Sequence, residues 1–236
     1  MGRPYFLFCL LLCGAAHAQD TLHAQVARWT SGLILRGRTA DRTMLDFRSD
    51  SIGAGQRLRV RVVSDELIVI KEGSVTVLYN GAIKHLGPGG TFLCLAGDEA
   101  GFASETRTVF YRLSILPAQR QQGAAPGKSV LLDWSELPVT TNPRGEVRPV
   151  FSEPTAALNK IDMHATTLNA GEMPHPAHTH PQAELILILS GNLTMQIGST
   201  FYPAQTGDIA LFTSMTPHGV KNTGDTAARY FALQWE

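Results

Sequence analysis

The chain has 236 residues, and its 20 lysines and arginines balance its 20 aspartates and glutamates. A balanced charge argues against a nucleic-acid-binding protein, which needs a basic surface to neutralise phosphates. A hydrophobic fraction of 44% and a charged fraction of 17% are typical of a globular protein. This length permits one large domain or two small ones.

Residues 1–18 have the pattern of a cleavable secretory signal. Arg3 supplies a positive start, residues 5–13 form an apolar run, and Ala16-His17-Ala18 fits the small-residue cleavage rule. Because the apolar run is too short to span a bilayer, we expect no membrane association after cleavage. We therefore predict cleavage after Ala18 and a secreted or periplasmic protein.

Cleavage would leave 236 − 18 = 218 residues and one cysteine, Cys94. A single cysteine forms no internal disulfide, so the fold must depend on an apolar core or on a partner chain. Since Cys94 lies in the apolar run "TFLCLAG", we interpret it as a buried hydrophobe and not as a nucleophile.

The sequence contains an internal repeat. "ELIVIKEG" (66–73) aligns with "ELILILSG" (184–191) at an offset of 184 − 66 = 118 residues. The same offset, without gaps, pairs three further identical residues: Gly53 with Gly171, Thr76 with Thr194 and Gly89 with Gly207. A repeat of this length predicts two related domains.

Both copies consist of short β-type runs that are separated by Gly, Asn and Asp, such as "AELILILSG" and "ARYFALQW" in the second copy. Short strands of this kind predict an all-β fold built from sandwiches or small barrels. We place the two domains at 28–116 and 129–236. The segment between them, 117–128, has the composition of a linker.

A histidine cluster opens the most apolar strand of the second copy. His178 and His180 are two residues apart, so they point to the same side of an extended strand, and Glu184 begins the next strand. If His218 lies on a neighbouring strand, three imidazoles and one carboxylate converge. That set suits one divalent Mn, Fe, Ni, Cu, Co or Zn ion. A polar turn ahead of a buried strand is the alternative interpretation.

The full pattern resembles the cupin superfamily. The residues that match its two motifs are Gly171, His178, His180, Glu184 and Gly191, and then Gly207, Pro217, His218 and Asn222. The spacing from Gly171 to His178 is one residue longer than the usual form. The resemblance implies two tandem cupin domains (double-stranded β-helices, or small jelly-roll barrels), a metal held by His178, His180, Glu184 and His218, and a homo-oligomer.

Other side chains near the motif are candidates for contacting a substrate or supporting a ligand: Met173, His175, Gln182, Gln196 and Phe212. His164 stays unassigned, and the catalytic residues are unknown.

The N-terminal copy lacks the metal motif. Subtracting 118 maps His178 to Val60, His180 to Val62, His218 to Ala100 and Glu184 to Glu66. One carboxylate is not a metal site, so we expect no metal there and a barrel filled with hydrocarbon. Glu66 would then need hydrogen bonds or a proton. Arg57, Arg59 and Arg61 alternate with apolar residues, which predicts a solvated face, with an anion site as the alternative.

Three functions follow from this pattern. The first is a metal-dependent enzyme of the dioxygenase, decarboxylase or isomerase type that acts on a small chelating molecule. The second is a hydrolase similar to ureidoglycine aminohydrolase, which the segment "FYPAQTGD" resembles. The third is a non-catalytic protein that binds a small molecule or a sugar.

Overall fold

A computed structural model of the chain describes residues 6–7, 21–40, 43–116, 127–155 and 158–236. Most of the predicted signal peptide and of the predicted linker lies outside the described residues. Within the described ranges, the chain forms strands and one short 3₁₀ helix, Trp134–Glu136, so the all-β prediction is confirmed. No helix in these ranges is long and apolar enough to cross a membrane.

Two sheets form the N-terminal barrel, and all their pairings are antiparallel except β1 with β5. The smaller sheet has the order β1 (Phe6–Leu7), β5 (Arg57–Arg61), β10 (Glu99–Ala103), β7 (Val75–Tyr79) and β8 (Ala82–Leu86). The larger sheet has the order β12 (Val130–Leu132), β9 (Thr91–Cys94), β6 (Glu66–Glu72), β11 (Thr108–Leu116), β4 (Met44–Ile52) and β3 (Gly32–Arg38).

Two antiparallel sheets form the C-terminal barrel. The larger sheet has the order β13 (Thr140–Asn142), β14 (Gly145–Glu153), β15 (Ile161–Leu168), β21 (Ala228–Trp235), β16 (Ala183–Ser190), β19 (Ile209–Phe212) and β2 (Gln25–Ala27). The smaller sheet has the order β18 (Thr200–Gln205), β17 (Asn192–Ile197) and β20 (His218–Asn222).

The central strand of each large sheet is apolar on both faces. In β6, Leu67 and Val69 point into a core that the two halves share, whereas Ile68 and Ile70 point into the N-terminal barrel. Strand β16 repeats this alternation with its own leucines and isoleucines. Burial on both faces explains why these two strands are continuous apolar runs in the sequence.

The two halves exchange strands. Strand β2 comes from the N-terminal segment but pairs with β19 of the C-terminal sheet, and β12 pairs with β9 of the N-terminal sheet. The proposed domain limits at 28 and 129 did not predict this exchange. It ties the halves together at both ends of their shared core.

A tryptophan anchors each exchanged segment against a glycine of the repeat. Trp29 follows β2 and packs on Gly207, and Trp134 follows β12 and packs on Gly89. Both glycines have left-handed backbones, with φ of +95° and +83°. A Cβ at Gly89 would lie 2.7 Å from Cε3 of Trp134. The repeat therefore keeps both glycines because a side chain would be strained and would clash.

We predict that Gly89→Ala lowers the free energy of unfolding by about 3 kcal/mol, because the strain of a left-handed alanine adds to the clash with Trp134. Gly81→Ala is the matched control, since its φ is +78° and nothing lies within 4 Å of the added Cβ. That control isolates the backbone strain, about 1 kcal/mol. Urea unfolding of both variants measures the difference, and equal losses would rule out the tryptophan contact as a cause.

Candidate metal centre

Strand pairing brings the histidines of the two motifs together. His178 and His218 form an isolated antiparallel bridge, in which each backbone N–H donates to the other residue's carbonyl at 3.0 and 2.9 Å. The ring centroids of His178, His180 and His218 lie 4.6 to 5.2 Å apart. One ring nitrogen from each residue falls within 4.8 Å of the others.

Glu184 occupies the first interior position of β16, on the same face as the isoleucines that line the C-terminal barrel. Its Oε2 lies 3.0 Å from Nε2 of His180 and 3.5 Å from Nε2 of His218. The structure therefore brings together the four residues that the sequence pattern selects. Their role as metal ligands stays a prediction.

Backbone carbonyls orient two of the imidazoles. Nδ1 of His180 lies 2.9 Å from the carbonyl oxygen of Gln182, and Nδ1 of His218 lies 2.8 Å from that of Thr216. A carbonyl oxygen only accepts hydrogen bonds, so each Nδ1 carries the proton and donates it. The lone pair of each neutral ring is therefore on Nε2, and both Nε2 atoms face Glu184.

When the rings are neutral, hydrogen-bond acceptors on the histidines face an acceptor on Glu184, with no donor between them. Nε2 of a neutral His180 and Oε2 of Glu184 both carry lone pairs, yet they are 3.0 Å apart. Nε2 of His218 is buried and has no hydrogen-bond partner among the described residues. Either a proton or a cation must lie between such atoms.

The distances fit a metal ion. Two ligand atoms that are each about 2.1 Å from an ion, at a right angle, are about 3.0 Å apart. This equals the 3.0 Å between Nε2 of His180 and Oε2 of Glu184. Opposite ligands around such an ion are about 4.2 Å apart. Two histidine nitrogens that are 4.8 Å apart would have to move about 0.6 Å closer together to bind one ion from opposite sides.

The surroundings favour a negative charge on Glu184 and a neutral ring at His178. Burial raises the pKa of Glu184, but the nearby His218 and the hydrogen bond from Gln234 outweigh this effect and lower the pKa to about 2. Partial desolvation and then the neighbouring imidazoles lower the pKa of His178. Burial lowers the pKa of His218, and the adjacent Glu184 more than offsets this, so the pKa is raised overall. At neutral pH the carboxylate is charged and the lone pair of His178 is free.

Gln234 belongs to the centre, although the motifs do not include it. It lies directly opposite Glu184 in the pairing of β16 with β21, and its Nε2 donates to Oε2 of Glu184 at 2.8 Å. On the interior face of β21 it follows Ala228, Tyr230 and Ala232, which all line the barrel core. A polar residue that continues an apolar face is the sequence signal that could have identified it.

The other candidate residues have different positions. Phe212 is fully buried and stacks on His218 at 4.4 Å, so it supports that ring from below. Gln182 holds His180 through its backbone oxygen, while its side chain donates to Glu236. Gln196 donates to the carbonyl of Gly198. Phe212 and Gln182 therefore contact histidines of the cluster, whereas the Gln196 amide bonds a backbone carbonyl.

Two further candidates are exposed to solvent. The His175 ring meets the edge of His178 at 4.3 Å and is exposed, and Met173 is 45% exposed. His164, which the motifs leave unassigned, has the same strand parity as Leu168 of the barrel core, and burial lowers its pKa.

Residues 164–233 match a family model described as "Cupin domain". Residues 164–233 therefore form a cupin domain. This domain contains the histidine cluster. No curated protein sequence matches the chain.

Solved structures share the fold across both halves. A putative glyoxylate-induced protein of Pseudomonas aeruginosa has a TM-score of 0.67 and 11% identity, with 100% of this chain and 97% of that chain covered. Bacillus subtilis oxalate decarboxylase, a protein with Mn(II) centres, has a TM-score of 0.62 and 14% identity, with 92% and 78% covered. Salicylate 1,2-dioxygenase of Pseudaminobacter salicylatoxidans has a TM-score of 0.57 and 12% identity, with 81% and 70% covered.

The N-terminal barrel preserves the register of the cupin centre without its histidines. Val60 pairs with Ala100, just as His178 bridges His218. Glu66 pairs with Cys94, just as Glu184 pairs with Phe212.

Burial raises the pKa of Cys94 to about 12, so its thiol is not a nucleophile at neutral pH. On the outer face, the arginines of β5 are exposed, and Arg59 pairs with Glu99.

We predict that Gln234→Leu weakens Co²⁺ binding by about tenfold or more, because Glu184 loses the hydrogen bond that fixes its carboxylate. Gln196→Leu is the control, since its amide bonds only a nearby backbone carbonyl in the same barrel. The Co²⁺ absorption bands report both affinity and coordination. An unchanged affinity in Gln234→Leu would contradict the assignment.

Proposed function

We propose that the C-terminal cupin domain binds one divalent transition metal through His178, His180, Glu184 and His218 and acts as a metal-dependent enzyme on a small chelating molecule. The observation that carries this proposal is the contact between Nε2 of His180 and Oε2 of Glu184, which are 3.0 Å apart and each of which has a lone pair when His180 is neutral. A bound cation satisfies both atoms and the unpartnered Nε2 of His218.

Access to the centre supports a small substrate. His178 is exposed, whereas His218 is 3% exposed and lies against Phe212 in the apolar barrel core. A substrate therefore enters past His178, with His175 beside it. Four protein ligands would leave a six-coordinate ion with two positions for oxygen atoms of a small molecule.

The protein groups have separate tasks in this proposal. The carbonyls of Gln182 and Thr216 hold two imidazoles with Nε2 inward, and Gln234 fixes the carboxylate of Glu184. The apolar core beneath His218 excludes water from one side of the site. When bound, the metal supplies Lewis-acid or redox chemistry at the substrate oxygens. His175 is the nearest further imidazole and is placed to exchange a proton with a substrate at the entrance.

A dioxygenase or decarboxylase reaction is the preferred assignment, since salicylate 1,2-dioxygenase and oxalate decarboxylase share the fold and act on small acids. Oxygen-uptake and carbon-dioxide-release assays with a panel of such acids test it, and an ammonia-release assay tests the hydrolase alternative. If the protein holds metal but none of the assays detects turnover, the binding-protein interpretation replaces the enzyme.

We predict that His178→Ala and His218→Ala each weaken Co²⁺ or Mn²⁺ binding at least a hundredfold, because each removes a direct ligand. His175→Ala is the control: it removes an imidazole from the same loop and should retain the affinity within about threefold, since it is not one of the proposed ligands. Calorimetric titration after chelator treatment measures all three. Unchanged binding in the first two variants would refute the four-ligand site.

We also propose that the protein is exported and assembles as a homo-oligomer. Cleavage after Ala18 predicts an N-terminal Gln19, which intact mass and N-terminal sequencing of the purified protein detect. Retention of residues 1–18 in an exporting host would contradict the signal. Light scattering of the same sample measures the assembly.

A further inference from the structure

A second candidate site lies in the N-terminal barrel, on the face of its large sheet opposite the shared core. The barrel contains a cavity of about 420 Å³. This volume is within the range of small-molecule sites, roughly 300–1,000 Å³. Apolar side chains form the core of this barrel, as expected, but the residues in place of the imidazoles are small and leave a space beside them. Val60, Val62 and Ala100 all line this space.

The cavity is mostly apolar with one charged wall. Ile68, Ile70, Phe102 and Phe110 are among the apolar residues that line it. The charged wall is formed by the adjoining strands β4, β6 and β11. Arg112 donates from Nη1 to Oε1 of Glu66 at 3.2 Å. It also donates from Nε to Oδ2 of Asp50 at 3.0 Å. Such a distribution, an apolar body with a few convergent polar groups, is typical of a ligand site.

The charged pair has hydrogen-bonding capacity left toward the cavity. Ser114 and Arg112 both donate to Oε1 of Glu66, and among the described residues Oε2 has no partner. Nη2 of Arg112 is likewise without one, because its contacts use Nε and Nη1. Both residues line the cavity, so its wall includes one donor and one acceptor without a partner among the described residues. A hydroxyl group can accept from one and donate to the other.

The charge of the lining selects against an ionic ligand. Arg48 and Arg112 balance Asp50 and Glu66 in the lining, and Arg48 is itself paired with Asp46. A carboxylate ligand would bring a third negative group to Arg112, which already contacts two, and would be desolvated without a free cation. A neutral molecule avoids this penalty.

We infer that the N-terminal barrel binds a small, uncharged and largely apolar molecule with one hydroxyl group, of the phenol or aromatic-alcohol class. The ring occupies the apolar cavity, and the hydroxyl group bridges Nη2 of Arg112 and Oε2 of Glu66. This site requires no metal and is separate from the C-terminal centre, so it does not depend on the proposed function.

The test is a calorimetric titration of the purified protein with 2-naphthol, in the presence of a chelator that empties the metal centre. We expect saturable binding of one molecule per chain. 2-Naphthoate has the same ring system with a carboxylate, and it should bind at least tenfold more weakly. Absence of 2-naphthol binding, or equal binding of the naphthoate, would overturn the inference.

Two variants locate the site. Val60→Phe places a ring in the cavity and should weaken 2-naphthol binding at least tenfold, whereas Ile83→Phe, at a position of the same barrel that is 68% exposed, should leave it unchanged. Glu66→Gln retains the size of the side chain but removes the charged acceptor, and should weaken binding about tenfold. If both Val60→Phe and Glu66→Gln are folded and bind normally, the ligand lies elsewhere and the proposal is wrong.

Discussion

Each barrel has a buried carboxylate at the start of its central strand, and the organisation of both sites follows from how that charge is compensated. Glu66 and Glu184 are related by the 118-residue repeat, since 184 − 66 = 118, and both point into barrel interiors. They are 9% and 7% exposed. A carboxylate removed from water to this extent needs hydrogen bonds, an opposite charge or a proton.

The two barrels meet this requirement with different chemistry. Around Glu184 the compensating groups are imidazoles whose Nε2 atoms face the carboxylate, an arrangement that needs a proton or a metal cation between the facing atoms. Around Glu66 the compensating group is Arg112, a permanent cation of the protein itself. Burial raises the pKa of Glu66, with Arg112 opposing it, so this carboxyl is less strongly held in its charged form than Glu184. One scaffold thus provides a candidate metal centre and a candidate site for a neutral ligand.

The sequence predicts the parts of this molecule that depend on local periodicity. Alternation in "ELIVIKEG" and "ELILILSG" identifies the two central strands, and the two-residue spacing of His178 and His180 places both on one side. The pairing of strands that are distant in the sequence could not be predicted from local periodicity. The exchange of β2 and β12 has no local pattern, because a short apolar strand pairs equally well with either sheet edge. Arg112 as the partner of Glu66 depends on the pairing register of β11 with β6.

The most direct test of the account is the metal content of the untreated, purified protein, measured by elemental analysis against protein concentration. Histidines surround Glu184 and Arg112 neutralises Glu66, so the account predicts one divalent transition metal ion per chain. A chelator should release this ion, and adding the ion back should restore it. Two ions per chain would show that the N-terminal barrel also binds metal. A chain that neither contains nor takes up a metal ion would show that the histidines of the C-terminal cupin have another purpose.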